Sequence, residues 1–301
     1  MSGDFSFSYP RYLEAKTTVD NRSLNPRVWH AFLSRIEEAS SPAKILDVGG
    51  GTGATLLRLL DALPNQSITE VDYTLLDPEP DNLSAAVNNI SEWAEKQAWR
   101  CNSDEEGLRL ENRRGSVSIV VDFQEKGLFT HAQASSEGLY DAIVAQAVLD
   151  LFDIREAIQA LSPCLRSGGT WYLPIHFDGL TAFEPVLDPE LDRTIIDRYH
   201  DSIPTPQSGR ALMGSLPSAG SQLHTVGASD WIVHGQEGGY PNDEAYFLKC
   251  ILHFIQDEVS ISDYSEFSFS FRDWMEKRLK QVDNGSLIYL AHQLDVCAVK
   301  K

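Results

Sequence analysis

A doubly wound α/β architecture is predicted by three features of the sequence. Short apolar strands alternate with amphipathic helices from Lys44 to Ile175, one strand runs straight into a dense glycine turn, and the units have the length of parallel crossovers. The expected sheet is mostly parallel and has about seven strands. A helical segment precedes it, and a helical cap is inserted late, before the last strand.

The elements follow in order. Arg11 to Lys16 reads as a short helix. Asn25-Pro26 starts another, with Asn25 as cap, Pro26 at the first helical position, and Val28, Phe32, Leu33 and Ile36 as one apolar stripe. Lys44 to Val48 is a strand, and Ala54 to Leu63 is a helix stopped by Pro64. Ile68 to Leu76 is the second strand, and Asp81 to Trp93 a helix that continues towards Trp99. Val117 to Val121 and Tyr140 to Ala145 are the third and fourth strands. Ile154, Ala157, Ile158, Leu161 and Leu165 mark the next helix, and Thr170 to Ile175 the fifth strand. After Gly179 the pattern turns proline-rich, with an amphipathic stretch from Leu191 to Tyr199. Residues 224–234 read as a strand, Asn242 to Ile255 and Phe271 to Leu279 as helices, and Leu287 to Val299 as the closing strand. The late helices are expected to cover the carboxyl ends of the strands, where ligands bind in such folds.

Charge narrows the function. The 301 residues carry 25 Lys and Arg against 44 Asp and Glu, a net −19. Such a surface repels nucleic acid and anionic lipid, so neither is an expected partner. Cys101, Cys164, Cys250 and Cys297 are scattered without metal-ligand spacing, so no metal is expected and the cysteines read as reduced, in a cytoplasmic protein. Residues 1–6 lack the features of a signal peptide, and no apolar run approaches a membrane span.

The most informative segment is Ile45-Leu46-Asp47-Val48-Gly49-Gly50-Gly51-Thr52-Gly53-Ala54. Glycines allow positive φ and close approach of a ligand, and the following helix offers free N–H groups. Asp77 lies 24 residues after Gly53, at the end of the second strand, where an acid accepts ribose hydroxyls. Its alternative role is a helix cap ahead of Asp81. Gly49-x-Gly51-x-x-Ala54 nominally fits a dinucleotide fingerprint, but Asp47 near the loop would repel a diphosphate. A ligand with an ammonium and a sulfonium, such as S-adenosylmethionine, would be attracted.

With these residues the chain resembles the class I, Rossmann-like S-adenosylmethionine-dependent methyltransferases. The resemblance rests on Asp47 to Gly53, Asp77, Asp122-Phe123 and the segment Tyr140 to Leu149, and covers residues 40–180 plus the terminal strands. It implies that Asp47, Gly49, Gly51 and Gly53 pass along the methionine part, that Asp77 binds ribose, that Asp122 meets the adenine amino group and that Phe123 packs on the ring. It places Gln146 at the methyl-transfer site. The family's last two strands form a hairpin; the candidates here stand about fifty residues apart, which suggests an inserted helical cap.

Other candidates are more open. Arg11, Tyr12 and Lys16 form a lid, with Arg11 on the methionine carboxylate, or a solvated helix face. His176 follows the fifth strand, where a near-neutral pKa suits a general base, with Asp178 orienting it or binding acceptor; a packed structural histidine is the alternative. Trp231, Tyr240, Tyr246, Phe247 and Trp274 wall an acceptor pocket or fill the core. The expected organisation is a helical segment at 1–40, a cofactor core at 41–180, and cap insertions with the last two strands at 181–301. The expected activity is methyl transfer to a small-molecule acceptor. An NAD(P)-dependent oxidoreductase and a non-catalytic nucleotide-binding regulator stay open, as do a peptide acceptor and a homodimer supported by the apolar cap.

Overall fold

Five parallel strands run through the middle of the sheet in the computed structural model, which describes residues 5–63, 67–104, 107–259 and 266–301. They are β1 (Ala43–Val48), β2 (Glu70–Asp77), β5 (Ser118–Glu125), β6 (Tyr140–Val144) and β7 (Leu165–Glu184). The remaining strands are β3 (Arg100–Asp104), β4 (Gly107–Glu111), β8 (Ser221–Ala228), β9 (Trp231–Val233) and β10 (Ile288–Lys300). The order across the sheet is β3-β4-β5-β2-β1-β6-β7-β10-β8, with β9 also on β10. All pairings of β3, β4, β8, β9 and β10 are antiparallel. Among the described residues the sheet is therefore mixed and has ten strands, not about seven mostly parallel ones. The chain reverses its direction of travel across the sheet at β1, which puts the topological switch point beside the glycine turn.

Alternating side chains of the strands feed two cores. On one face, Ile45, Val71, Tyr73 and Leu75 meet α2 (Pro26–Glu37), α3 (Ala54–Ala62) and α4 (Pro80–Gln97). On the other, Leu46, Val48, Ile143 and Leu173 meet α6 (Ile154–Leu161) and α8 (Ser208–Ser218), with Leu128 of α5 (Leu128–Ala134). The α2 stripe of Val28, Phe32, Leu33 and Ile36 is buried, and each such side chain contributes about 1.5–3 kcal/mol on burial. Asn25 caps α2 as its sequence predicts, its Oδ1 accepting from the Arg27 and Val28 amides.

A third core stands beyond the parallel strands. It joins α1 (Tyr9–Ser23), α7 (Pro189–Ser202), α9 (Glu244–Val259) and α10 (Glu266–Asp283) to the distal half of β7 and to Tyr289 and Ala291 of β10. The support is a long antiparallel ribbon. β7 pairs with β10 from Thr170↔Val299 out to Glu184↔Ile288, so both strands run past the sheet and carry the cap.

Several elements differ from the sequence expectation. α4 continues past Trp93 to Gln97, as expected, where Ala98 takes a left-handed φ of 57° and ends it; the β3–β4 hairpin that follows was not expected. The 224–234 strand divides into β8 and β9, and α5 and α8 were not expected. Pro64, the expected helix stop, lies outside the described residues.

Candidate active site

The β1–α3 turn is shaped by its glycines. Gly49, Gly51 and Gly53 have φ of 65°, 54° and 84°, the left-handed region that side chains resist. Space matters as well: a Cβ on Gly49 would lie 2.6 Å from Val148 Cγ2, and one on Gly51 2.9 Å from Leu13 Cδ1. The neighbouring strand end fixes the turn. Gly50 N donates to the Leu76 carbonyl at 3.0 Å, and Gly51 N donates to Asp77 Oδ2 at 3.0 Å. Asp77 Oδ1 accepts from Glu79 N at 2.9 Å and Asn82 Nδ2 at 3.1 Å. A carboxylate offers about four acceptor positions, so roughly one remains for a ligand hydroxyl. Asp77 thus holds the start of α4, the capping role that its position suggested, while it also lines the cavity.

Above this turn lies a cavity of about 800 Å³. Its floor is Gly49, Gly50, Gly51 and Asp77, and one side is Lys126-Gly127-Leu128. Its roof comes from three cap helices: Tyr12, Leu13 and Lys16 of α1, Tyr199 of α7, and Ile251 and Phe254 of α9. Seven acids reach the lining (Asp20, Asp77, Glu79, Asp81, Asp150, Asp257, Glu258) against two lysines, Lys16 and Lys126. Cationic ligands are favoured by that balance and phosphate-rich ones disfavoured.

One buried acid clamps the roof to the floor. Asp20, 1% exposed, accepts from Trp231 Nε1 and Gln146 Nε2, both at 2.9 Å, and pairs with Lys16 Nζ at 3.3 Å. Gln146 Oε1 in turn accepts from Thr55 Oγ1 at 3.2 Å and Arg58 Nη1 at 3.1 Å. Gln146 lines the cavity, but its amide is committed to this network.

The other expected residues lie elsewhere. Asp47 is buried beneath the turn: Tyr73 donates to it at 2.6 Å, and it does not line the cavity. Burial pushes its carboxyl up to about 7, so at neutral pH its charge is partial, and the argument against a diphosphate passes to the acids that do line the cavity. Gly53 packs towards Ala86 and Ile90 rather than the cavity. Asp122 and Phe123 sit inside β5, paired with Thr74 and Leu75, because the strand continues to Glu125; Asp122 accepts from Gln124 Nε2 at 2.6 Å, and the residues at the cavity are Lys126 to Leu128. Arg11 points outward, paired with Asp243 at 3.0 Å and lying over the Tyr246 ring; the α1 cation at the cavity is Lys16.

His176 is also displaced. Ile175, a β-branched residue with φ of 58°, faces the cavity, and its amide donates to Asp295 Oδ1 at 2.7 Å. His176 therefore falls on the opposite face, fully buried under α8, where a Cβ on Gly209 would touch its carbonyl. Among the described residues neither ring nitrogen has a side-chain hydrogen-bond partner, and burial lowers its pKa to about 4, which suits a neutral packed ring and not a base. Asp178 is held by Arg210, at 2.7 Å from Nη2, and does not orient His176. Of the late aromatics, Trp231 lines the cavity, Tyr246, Phe247 and Trp274 are core, and Tyr240 donates its hydroxyl to the Leu287 carbonyl. Sequence reasoning missed Asp150, an acid inside the apolar run Val148-Leu149-Asp150-Leu151-Phe152 and now in the cavity wall; that break in the run was the available signal.

The family model for a methyltransferase domain matches residues 46–171, from the end of β1 into β7. The match covers a little under half of the chain. Within it fall the glycine turn, Asp77, Gln146 and Asp150. The chain is 39% identical, over 71 residues, to a malonyl-[acyl-carrier protein] O-methyltransferase of Geobacter sulfurreducens, a match that covers 23% of this chain and 27% of that one. The chain thus spans about a quarter of that curated relative. Similar folds include the YcgJ protein of Bacillus subtilis (14% identity, TM-score 0.51, 92% of this chain and 99% of that one). They also include a structure from Bacillus halodurans described as a candidate methyltransferase (12% identity, TM-score 0.51, 90% and 97%). No described helix is long and apolar enough to cross a membrane.

Proposed function

We propose that this chain transfers the methyl group of S-adenosylmethionine to a small-molecule acceptor. The carrying observation is one acid-walled cavity that runs from the glycine turn to an aromatic roof. Gly49, Gly51 and Asp77 would hold the cofactor, with the remaining acceptor position of Asp77 for a ribose hydroxyl. The protein would then need chiefly to align the acceptor and exclude water, because S-adenosylmethionine, when bound, supplies an already electrophilic methyl. In this reading residues 41–180 hold the cofactor, while 1–40 and 181–301 close over the acceptor. Four unpaired cysteines, three of them buried, agree with a reducing cytoplasmic setting.

A dinucleotide is less suited, since its diphosphate would meet Asp77, Glu79 and Asp81. A regulator that only binds nucleotide leaves the roofed volume beyond the turn without a use. Calorimetry decides between these readings. S-adenosylhomocysteine is expected to bind in the micromolar range and NAD not at all. Replacing Asp77 with Ala removes charge-assisted bonds to Gly51 and Glu79 and should weaken S-adenosylhomocysteine binding by at least ~10-fold. Binding of NAD in place of S-adenosylhomocysteine would sink the proposal.

A further inference from the structure

The cap end of the cavity combines aromatic faces with an acid that forms no salt bridge among the described residues. Tyr9, Tyr12, Tyr199, Trp231, Phe254 and Tyr289 line it. Asp150 stands in the same wall, in the short turn Leu149–Leu151 that follows β6. Its Oδ1 is buried and has no hydrogen-bond partner among the described residues, the carboxylate being stabilised by its own backbone amide. The Lys16 charge acts on it, but the Lys16 ammonium is paired with Asp20 at 3.3 Å. Tyr9 and Tyr199 are close enough to feel the Asp150 charge, which helps raise both of their hydroxyl pKa values after the larger effect of burial. Burial also raises the carboxyl of Asp150 itself, making it a stronger base than an exposed aspartate.

This arrangement rests on the methyl-transfer reading and sharpens it. Aromatic faces and a desolvated carboxylate attract an ammonium and repel a carboxylate. We propose that Asp150 is a catalytic residue that selects an amine acceptor and takes its proton. The acceptor binds as an ammonium, and one N–H proton passes to the Asp150 carboxylate, which frees the nitrogen lone pair. That pair forms the new bond to the cofactor's methyl while the methyl–sulfur bond breaks with its electrons kept on sulfur. Asp150 afterwards releases its proton to solvent. The Geobacter relative is named for O-methylation of a malonyl group; the acid-rich wall here points away from a carboxylate acceptor.

The test is binding to the enzyme saturated with S-adenosylhomocysteine, using phenethylamine, phenylacetate and phenethyl alcohol as probes of equal shape. Phenethylamine is expected to bind most tightly. Asp150→Asn should weaken it by ~30-fold or more, the usual loss when one partner of a buried charge pair is removed, while S-adenosylhomocysteine affinity stays within about twofold. That second measurement confirms that the variant is folded, and it separates the two ideas: failure to bind S-adenosylhomocysteine in the unmodified protein overturns the methyl-transfer reading itself. Equal binding of the three probes, tighter binding of phenylacetate, binding of none, or an Asp150→Asn protein that keeps the amine preference overturns the role of Asp150.

Discussion

At the floor of the cavity, Gly49 to Gly51 and Asp77 come from the ends of two adjacent parallel strands and present main-chain groups held by a single carboxylate. At its roof, Tyr12, Tyr199 and Phe254 come from three helices spread from α1 to α9 and present side chains. The floor is shaped by backbone conformation, and the roof by packing. The difference teaches where each can be altered. Binding at the floor depends on a few dihedral angles and hydrogen bonds. Closure of the roof depends on the Asp20 clamp.

The largest expected effect is on that clamp. Asp20→Ala leaves the Lys16 ammonium, the Trp231 N–H and the Gln146 amide without their acceptor and should cost about 3–5 kcal/mol. Denaturant titration measures the loss. Amide exchange should rise in α1 well before β1 or β2; uniform loosening of sheet and roof would break the division drawn above.

The next test works from below the floor. Asp47 has a carboxyl raised from 3.8 to about 7. Between those values the unfolded chain releases its proton while the folded chain keeps it, so stability falls as pH rises across that window. The accumulated cost above neutral pH is at most ~4 kcal/mol. Asp47→Asn can still accept the Tyr73 hydroxyl and should be more stable than the parent at about pH 8, with the gain vanishing near pH 4. A matching loss of S-adenosylhomocysteine affinity would put Asp47 back in direct contact with the ligand.

His176 supplies the smallest effect and the opposite slope. Its pKa falls from 6.5 to about 4 on folding. Here the unfolded chain gains the proton first, so stability is full above 6.5 and drops as pH falls towards 4, by on the order of 3 kcal/mol. His176→Phe should flatten that limb, change little above pH 6.5, and leave methyl transfer intact. Abolished turnover in a folded, S-adenosylhomocysteine-binding variant would return His176 to the chemistry.

The same contrast explains what could be read from the sequence. The glycine turn, Asp77 and the Asn25 cap were legible because each is a local pattern whose partners lie within one crossover. Asp122 and Phe123 were misplaced because strand length is set by pairing with β2, which carries β5 on to Glu125. The β3–β4 hairpin hid in a polar stretch, although Leu108 and Leu110 alternate towards the core. Arg11 and Lys16 could not be told apart by composition: which cation of α1 faces the cavity is decided by Asp243 and Asp20, far away in sequence and at i+4 respectively. His176 was placed by its position after a strand, but the left-handed Ile175 turns it to the other face.

β10 is last of the ten strands in chain order, yet it lies inside the sheet, between β7 and β8. A nascent chain on the ribosome can therefore form the glycine turn and its parallel neighbours early while the edge of β7, a 20-residue strand, remains unpaired. An open edge of that length is a template for pairing with other chains. Chaperone demand for this protein is thus expected to concentrate in the interval between synthesis of β7 and arrival of β10, when the cofactor floor already exists and the roof has nothing to stand on.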